Sequence, residues 1–111
     1  MNIYEFRIGN YVIFWGNILI VSELNEFKIK AKSIDFKSAY ENYIEFSGVN
    51  ITKKIYYQIE KQLINLPFSY NFDGEKLKFY FSDYEQIEFE YLHQVQNFYF
   101  ELTRQDLIIE L

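Results

Sequence analysis

Thr52–Phe81, TKKIYYQIEKQLINLPFSYNFDGEKLKFYF, changes its hydrophobic period half-way along, and that change decides the fold class. In the first half Ile55, Ile59, Leu63 and Leu66 recur at steps of three and four, which gathers them on one face of a helix. Thr52 stands where an N-cap hydroxyl is needed, and Pro67, with no N–H to extend the ladder, marks the stop. Lys53 and Lys54 fall in the first turn and oppose the helix dipole, a small cost that an exposed pair tolerates. In the second half Tyr70-Asn71-Phe72 runs into Asp73-Gly74, a hairpin signal. Beyond it Leu77, Phe79 and Phe81 alternate with Lys78 and Tyr80 at the period of a strand.

The meander continues toward the C-terminus. After a turn at Ser82-Asp83, Ile87, Phe89 and Tyr91 alternate with Glu88 and Glu90. A second helix is predicted from about Leu92 to Thr103, burying Leu92, Val95, Phe98 or Tyr99, and Leu102. Asp106–Leu111 is a short tail with the length of one more strand.

Toward the N-terminus the chain reads as strands. Tyr11–Trp15 and Ile18–Leu24 flank Gly16-Asn17, a two-residue turn with Gly first, as a type II′ hairpin prefers. Phe27–Lys32 alternates strictly, with lysines on one face and apolar residues on the other. A looser stretch, Asp35–Asn42, leads to a fourth strand at Tyr43–Ser47. The order ββββ-α-βββ-α, with few parallel crossovers, predicts an α+β fold whose N-terminal antiparallel strands make an open barrel or twisted sheet. At 111 residues, with no linker, repeat or low-complexity run, one domain (1–111) is expected.

Composition narrows the function. Half the residues are hydrophobic, enough for a packed core. Phe, Tyr, Ile, Asn and Lys make up about half the chain, and all five are written by A/T-rich codons, so a low-GC genome accounts for much of the aromatic content. The alternative reading is that some Tyr and Phe side chains sit outside for contact, as aromatics do at binding surfaces. With no cysteine there are no disulfides, thiolate nucleophiles or Cys-based zinc sites. Met1–Asn10 carries Glu5 and Arg7 and lacks an apolar signal-peptide core, so a cytoplasmic protein without a membrane segment is expected.

Little can be assembled into a catalytic centre. His93 is the sole histidine, placed early in a helix and expected near the surface as an ordinary polar residue. Glu88 and Glu90 would share a strand face about 7 Å apart. Paired carboxylates act as acid and base only where their environments separate their pKa values, and an exposed acidic strand face does not. The four glycines (Gly9, Gly16, Gly48, Gly74) are scattered at predicted turns and form no phosphate loop. The expectation is a non-enzymatic binding protein without cofactor or metal.

Two surfaces are candidates for partner binding. Residues 28–61 hold seven lysines against four acids, and residues 73–111 hold nine acids against three bases, within a net charge of −5. In the basic region Lys28, Lys30 and Lys32 form a comb within about 14 Å along one strand face, with Lys37 beyond it, close to the spacing of phosphates in nucleic acid. An edge strand guarded by lysines against aggregation would carry the same pattern. In the acidic region Tyr80, Tyr84, Glu85, Glu88 and Glu90 interleave aromatic and acidic groups, a surface suited to a basic cleft such as the RNA channel of a nuclease. A solvated sheet face has the same composition.

Arg7-Ile8-Gly9-Asn10-Tyr11-Val12 and the stretch from Leu92 to Thr103, LHQVQNFYFELT, resemble a family of small proteins of Bacteroidota phages, prophages and mobile elements. That family opens on R-I-G-N-x-V and ends on H-x-L-Q-N-L-Y-F-x-L-T-G-x-E-L. The resemblance covers about a sixth of the chain, and Arg104 stands where the family has a helix-stopping glycine. Small mobile-element proteins of this kind include inhibitors of host defence. An anti-CRISPR protein directed at a type VI-B RNA-guided RNase is similar in size, composition and acidity. The resemblance implies an anti-CRISPR-like inhibitor whose partner is a host protein, a CRISPR effector nuclease with its guide RNA. The alternative is a protein-binding adaptor or homodimeric structural module that touches no nucleic acid.

Overall fold

The register of the antiparallel ladders sets which side chains face outward. In the computed structural model, which describes residues 6–14, 17–24, 29–33, 39–42 and 47–110, the chain forms an α+β fold. It divides into two compact units, Met1–Val49 and Asn50–Leu111.

In the first unit β1 (Tyr11–Phe14), β2 (Asn17–Leu24), β3 (Ile29–Ser33), β4 (Ala39–Asn42) and β5 (Ser47–Gly48) make one antiparallel sheet, ordered β4-β3-β2-β1-β5. The sheet is open and not closed into a barrel. Alternation buries Val12, Leu19, Val21 and Ala31 on one face with Phe6, and Phe14 and Leu24 pack partly against them. The strand β4 lies where a loose stretch was expected: pairing from Lys32↔Ala39 to Ile29↔Asn42 supplies the ladder that its weak local propensity does not announce. Of the strand expected at Tyr43–Ser47, residues 43–46 lie outside the described residues and Ser47 opens β5. Of the Gly16-Asn17 turn, Gly16 also lies outside them, and Asn17 is already the first residue of β2, paired with Phe14.

The R-I-G-N segment is a turn that fastens the chain to β2. The Arg7 N–H donates to Asn10 Oδ1 at 2.7 Å, and the Asn10 N–H donates to the Arg7 carbonyl at 3.0 Å. Gly9, at φ +92°, takes a conformation that side chains rarely adopt. This lets its N–H reach the Val21 carbonyl at 2.8 Å while the Val21 N–H reaches the Asn10 carbonyl at 2.9 Å.

The second unit holds α1 (Lys53–Leu63), β6 (Ser69–Phe72), β7 (Leu77–Tyr80), β8 (Gln86–Phe89) and α2 (Leu92–Thr103), the three strands forming an antiparallel meander. Thr52 caps α1 by accepting the Ile55 N–H at 3.3 Å, and Ile55, Ile59 and Leu63 are buried as the period predicts. The hairpin after Phe72 is a four-residue loop in which Asp73 Oδ1 accepts the N–H groups of Glu75 and Lys76 at 2.9 and 2.8 Å. Those donors hold the Asp73 carboxyl below its usual range, the Lys76 N–H contributing most.

Leu77, Phe79 and Phe89 are buried on the inner face. There Phe98 of α2 sits 4.9 Å from Phe79 and 5.2 Å from Phe89 between ring centroids. Two positions of α2 depart from the expected pattern. Leu102 is 42 % exposed, because the buried arc of the helix runs through Leu92, His93, Val95 and Tyr99 instead. His93 is completely buried, with the Tyr91 ring stacked on it at 5.8 Å, since the Asn50↔Tyr91 bridge brings further chain to this end of the helix.

Over its described residues, 104–110, the tail after α2 makes no strand pair. Leu107 and Ile109 are buried in alternation, and α1 holds their backbone: Gln62 Oε1 accepts the Ile108 N–H and Gln62 Nε2 donates to the Ile108 carbonyl, both at 2.7 Å. Gln58 Oε1 accepts the Glu110 N–H at 2.9 Å. No described helix is long and apolar enough to cross a membrane.

Candidate binding surface

The outward face of the meander is set by register. Tyr80 lies between Ser69 and Gln86, and Lys78 lies between Asn71 and Glu88. At the Tyr80 end the chain turns through residues 81–85. The Phe81 N–H donates to the Glu85 carbonyl at 2.9 Å, and Ser82 Oγ accepts from the N–H groups of Tyr84 and Glu85 at 3.3 and 3.2 Å. A serine hydroxyl standing in for a backbone acceptor is what holds a short turn in one conformation. From below, Phe68 meets Phe81 edge-on at 4.7 Å, with Phe98 6.2 Å from both.

Tyr84, at the tip of this turn, is 97 % exposed, between the exposed carboxylates of Asp83 and Glu85. Phe81, expected on the buried face, is 40 % exposed, because β7 ends at Tyr80 and the turn lifts it toward the rim. Ser69, Tyr80, Asp83, Tyr84, Glu85 and Gln86 line an open recess of about 500 Å³.

The structure therefore gathers three of the five acidic-aromatic candidates, Tyr80, Tyr84 and Glu85, and separates the other two. Glu88 shares the outer face with Tyr80, but its carboxylate lies 3.4 Å from Lys78 Nζ and 3.8 Å from Lys76 Nζ. At such exposure those pairs stabilise by less than about 1 kcal/mol. They do cancel the local negative charge. Glu90 is past the end of β8, where its carbonyl accepts the Ile51 N–H at 3.1 Å and its N–H donates to Gln94 Oε1 at 3.0 Å. Its side chain lines a different recess, with Asn50, Thr52, Lys53 and Lys76. Ser82 and Asp83, legible only as turn formers, belong with the gathered group.

The lysine comb changes character too. Lys28 and Lys37 lie outside the described residues. Lys30 and Lys32 are half-buried on the face opposite Ala31, as alternation requires, but β3 is an interior strand, so edge protection does not explain them. A bulge at Ser22, whose Oγ donates to the Lys30 carbonyl at 3.1 Å, moves Glu23 into register opposite Lys30. Glu41 occupies the register position on the other side. The acidic Glu23 across the β2 ladder leaves Lys30 a poor phosphate contact.

Among the described residues no group of three or more His, Asp or Glu is placed to hold a metal ion. Within the H-Q-x-Q-N stretch Gln94 serves the helix terminus: its Oε1 accepts the N–H groups of Tyr91, the N-cap of α2, and of Glu90 just before it. No family model, curated protein or solved structure matches the chain.

Proposed function

We propose that this chain is a non-catalytic inhibitor that binds a host defence nuclease of the RNA-guided RNase class, presenting its Ser82–Glu85 turn to the basic groove that holds RNA. The observation that carries this reading is Tyr84, 97 % exposed on a hydrogen-bonded turn and flanked by two carboxylates. A fully solvated tyrosine gains nothing for folding. A rigid amphipathic ring loses little entropy on docking, which is why tyrosine recurs at binding hot spots. Asp83 and Glu85 add the charge that a basic groove attracts. The choice of a nuclease as partner rests on the resemblance of both chain ends to phage and mobile-element proteins. The mode of binding rests on the turn.

The experiment is a pull-down and affinity measurement with a type VI-B effector and its guide RNA. Tyr84→Ala, with the circular dichroism spectrum retained, is expected to weaken the complex by about 30-fold, the loss typical of a hot-spot residue near 2 kcal/mol. Asp83→Lys with Glu85→Lys is expected to slow association and abolish its salt dependence. Wild-type affinity in both variants would falsify the turn as the contact. A salt-resistant homodimer with no affinity for the effector would favour the adaptor reading.

A further inference from the structure

We infer that Tyr56, Tyr57, Glu60 and Tyr70 form a receptor for an arginine side chain presented by a partner protein. The group lies on α1 and β6 and requires neither the β7–β8 turn nor a nuclease.

The helix period places Glu60 one turn beyond Tyr56, and the Tyr56 hydroxyl donates to Glu60 Oε1 at 3.5 Å, the far limit of a hydrogen bond. Aromatic rings pack around the Tyr56 member of this pair. Phe72 stacks on Tyr56 at 4.8 Å with an interplanar angle of 18°, Tyr70 stands edge-on at 6.5 Å, and Tyr57 is tilted at 6.1 Å. Tyr57 is 66 % exposed, so the cluster opens to solvent on its side.

Glu60 is half-buried, yet among the described residues no lysine or arginine comes within 4.0 Å of its carboxylate. Lys53, Lys54 and Lys61 on the same helix all leave it unneutralised. A carboxylate offers about four acceptor sites, and the one long bond from Tyr56 uses a single one. The phenols register its charge. Burial first, and then the Glu60 carboxylate, pushes Tyr56 up to about 12, and the same two causes raise Tyr70 in the same order. The carboxylate thus stands among neutral phenols, with no cation beside it among the described residues.

The chemistry selects guanidinium among cations. Its flat face stacks on a tyrosine ring while its edge forks onto a carboxylate, so one group satisfies rings and acid together. An ammonium is a compact, strongly hydrated point charge that gives up more hydration for a single contact. One carboxylate with neutral phenols is too poor a donor set for a divalent cation.

The test titrates the full chain with acetyl-tetraarginine amide, and separately with acetyl-tetralysine amide, at fixed ionic strength. Tyrosine ring signals are followed by NMR. Saturable shifts are expected at Tyr56, Tyr57 and Tyr70, with the arginine peptide binding about fivefold more tightly than the lysine peptide. Glu60→Gln is expected to weaken the arginine peptide about tenfold. Tyr57→Phe, which keeps an aromatic face, stays within about twofold of wild type. Glu101→Gln, an exposed carboxylate on α2, changes nothing. Equal binding by wild type and Glu60→Gln overturns the site. So do shifts of the same size at Tyr80 and Tyr84, which would mark general attraction to an acidic chain. Equal affinity for the two peptides overturns the guanidinium assignment.

Discussion

Arg104 ends α2 in the left-handed region at φ 60°, ψ 22°, its N–H bonded to the Phe100 carbonyl at 2.7 Å. A side chain there brings Cβ against the following carbonyl, at a cost of about 1–2 kcal/mol, part of which glycine would return as unfolded-state entropy. Arg104→Gly is therefore expected to raise stability by about 1 kcal/mol, read as a higher urea midpoint at unchanged slope. A lower midpoint would show that the arginine side chain makes a compensating contact. Such single-residue facts were partly legible. Thr52 as a cap and Asp73-Gly74 as a turn follow from side-chain chemistry alone. The burial of His93 does not, because it depends on the bridge that Asn50 makes to Tyr91, a partner remote in sequence.

At the level of elements, the period change within Thr52–Phe81 located α1 and the meander, since both bury one face and the buried residues repeat at the element's own period. Elements whose hydrogen-bond partners are set by tertiary pairing escaped that signal. The strand β4 exists through its pairing with β3, and the tail is held by glutamine side chains in place of a strand. The candidate site was legible to the same extent. Tyr80, Tyr84 and Glu85 meet because they alternate or crowd a turn, whereas the pairing of Glu88 with Lys76 and Lys78 arises only across the ladder, where spacing along the chain gives no sign of it. The tail also gives a direct prediction. Gln62→Ala removes both bonds to Ile108, about 1 kcal/mol each, and should speed amide exchange at Ile108 at least about tenfold. Gln58→Ala should affect Glu110 alone. Unchanged protection at Ile108 in the Gln62 variant would mean that burial of Leu107 and Ile109 holds the tail without the clasp.

On the scale of the whole molecule, charge and packing divide at the same point. Residues 50–111 contain ten acidic and six basic residues, so they carry −4 of the net −5. They also hold a core of their own in Ile55, Ile59, Leu63, Leu77, Phe79, Leu92 and Val95. A unit of about 60 residues buries only about 60 % of the surface its unfolded chain exposes, which is marginal but sufficient where the core is rich in large side chains. Residues 50–111 expressed alone are accordingly expected to fold, with a cooperative thermal transition and amide NMR positions matching those in the full chain. Because Asp83, Tyr84 and Glu85 all lie in this part, the fragment should retain the proposed partner's affinity to within about threefold. Its association should slow as salt rises, since exposed charges are screened within about 10 Å at 0.1 M. A fragment with collapsed amide dispersion would show that residues 1–49 complete its core. A folded fragment without affinity would shift the contact to the first unit, where Lys30 and Lys32 are the groups to mutate next.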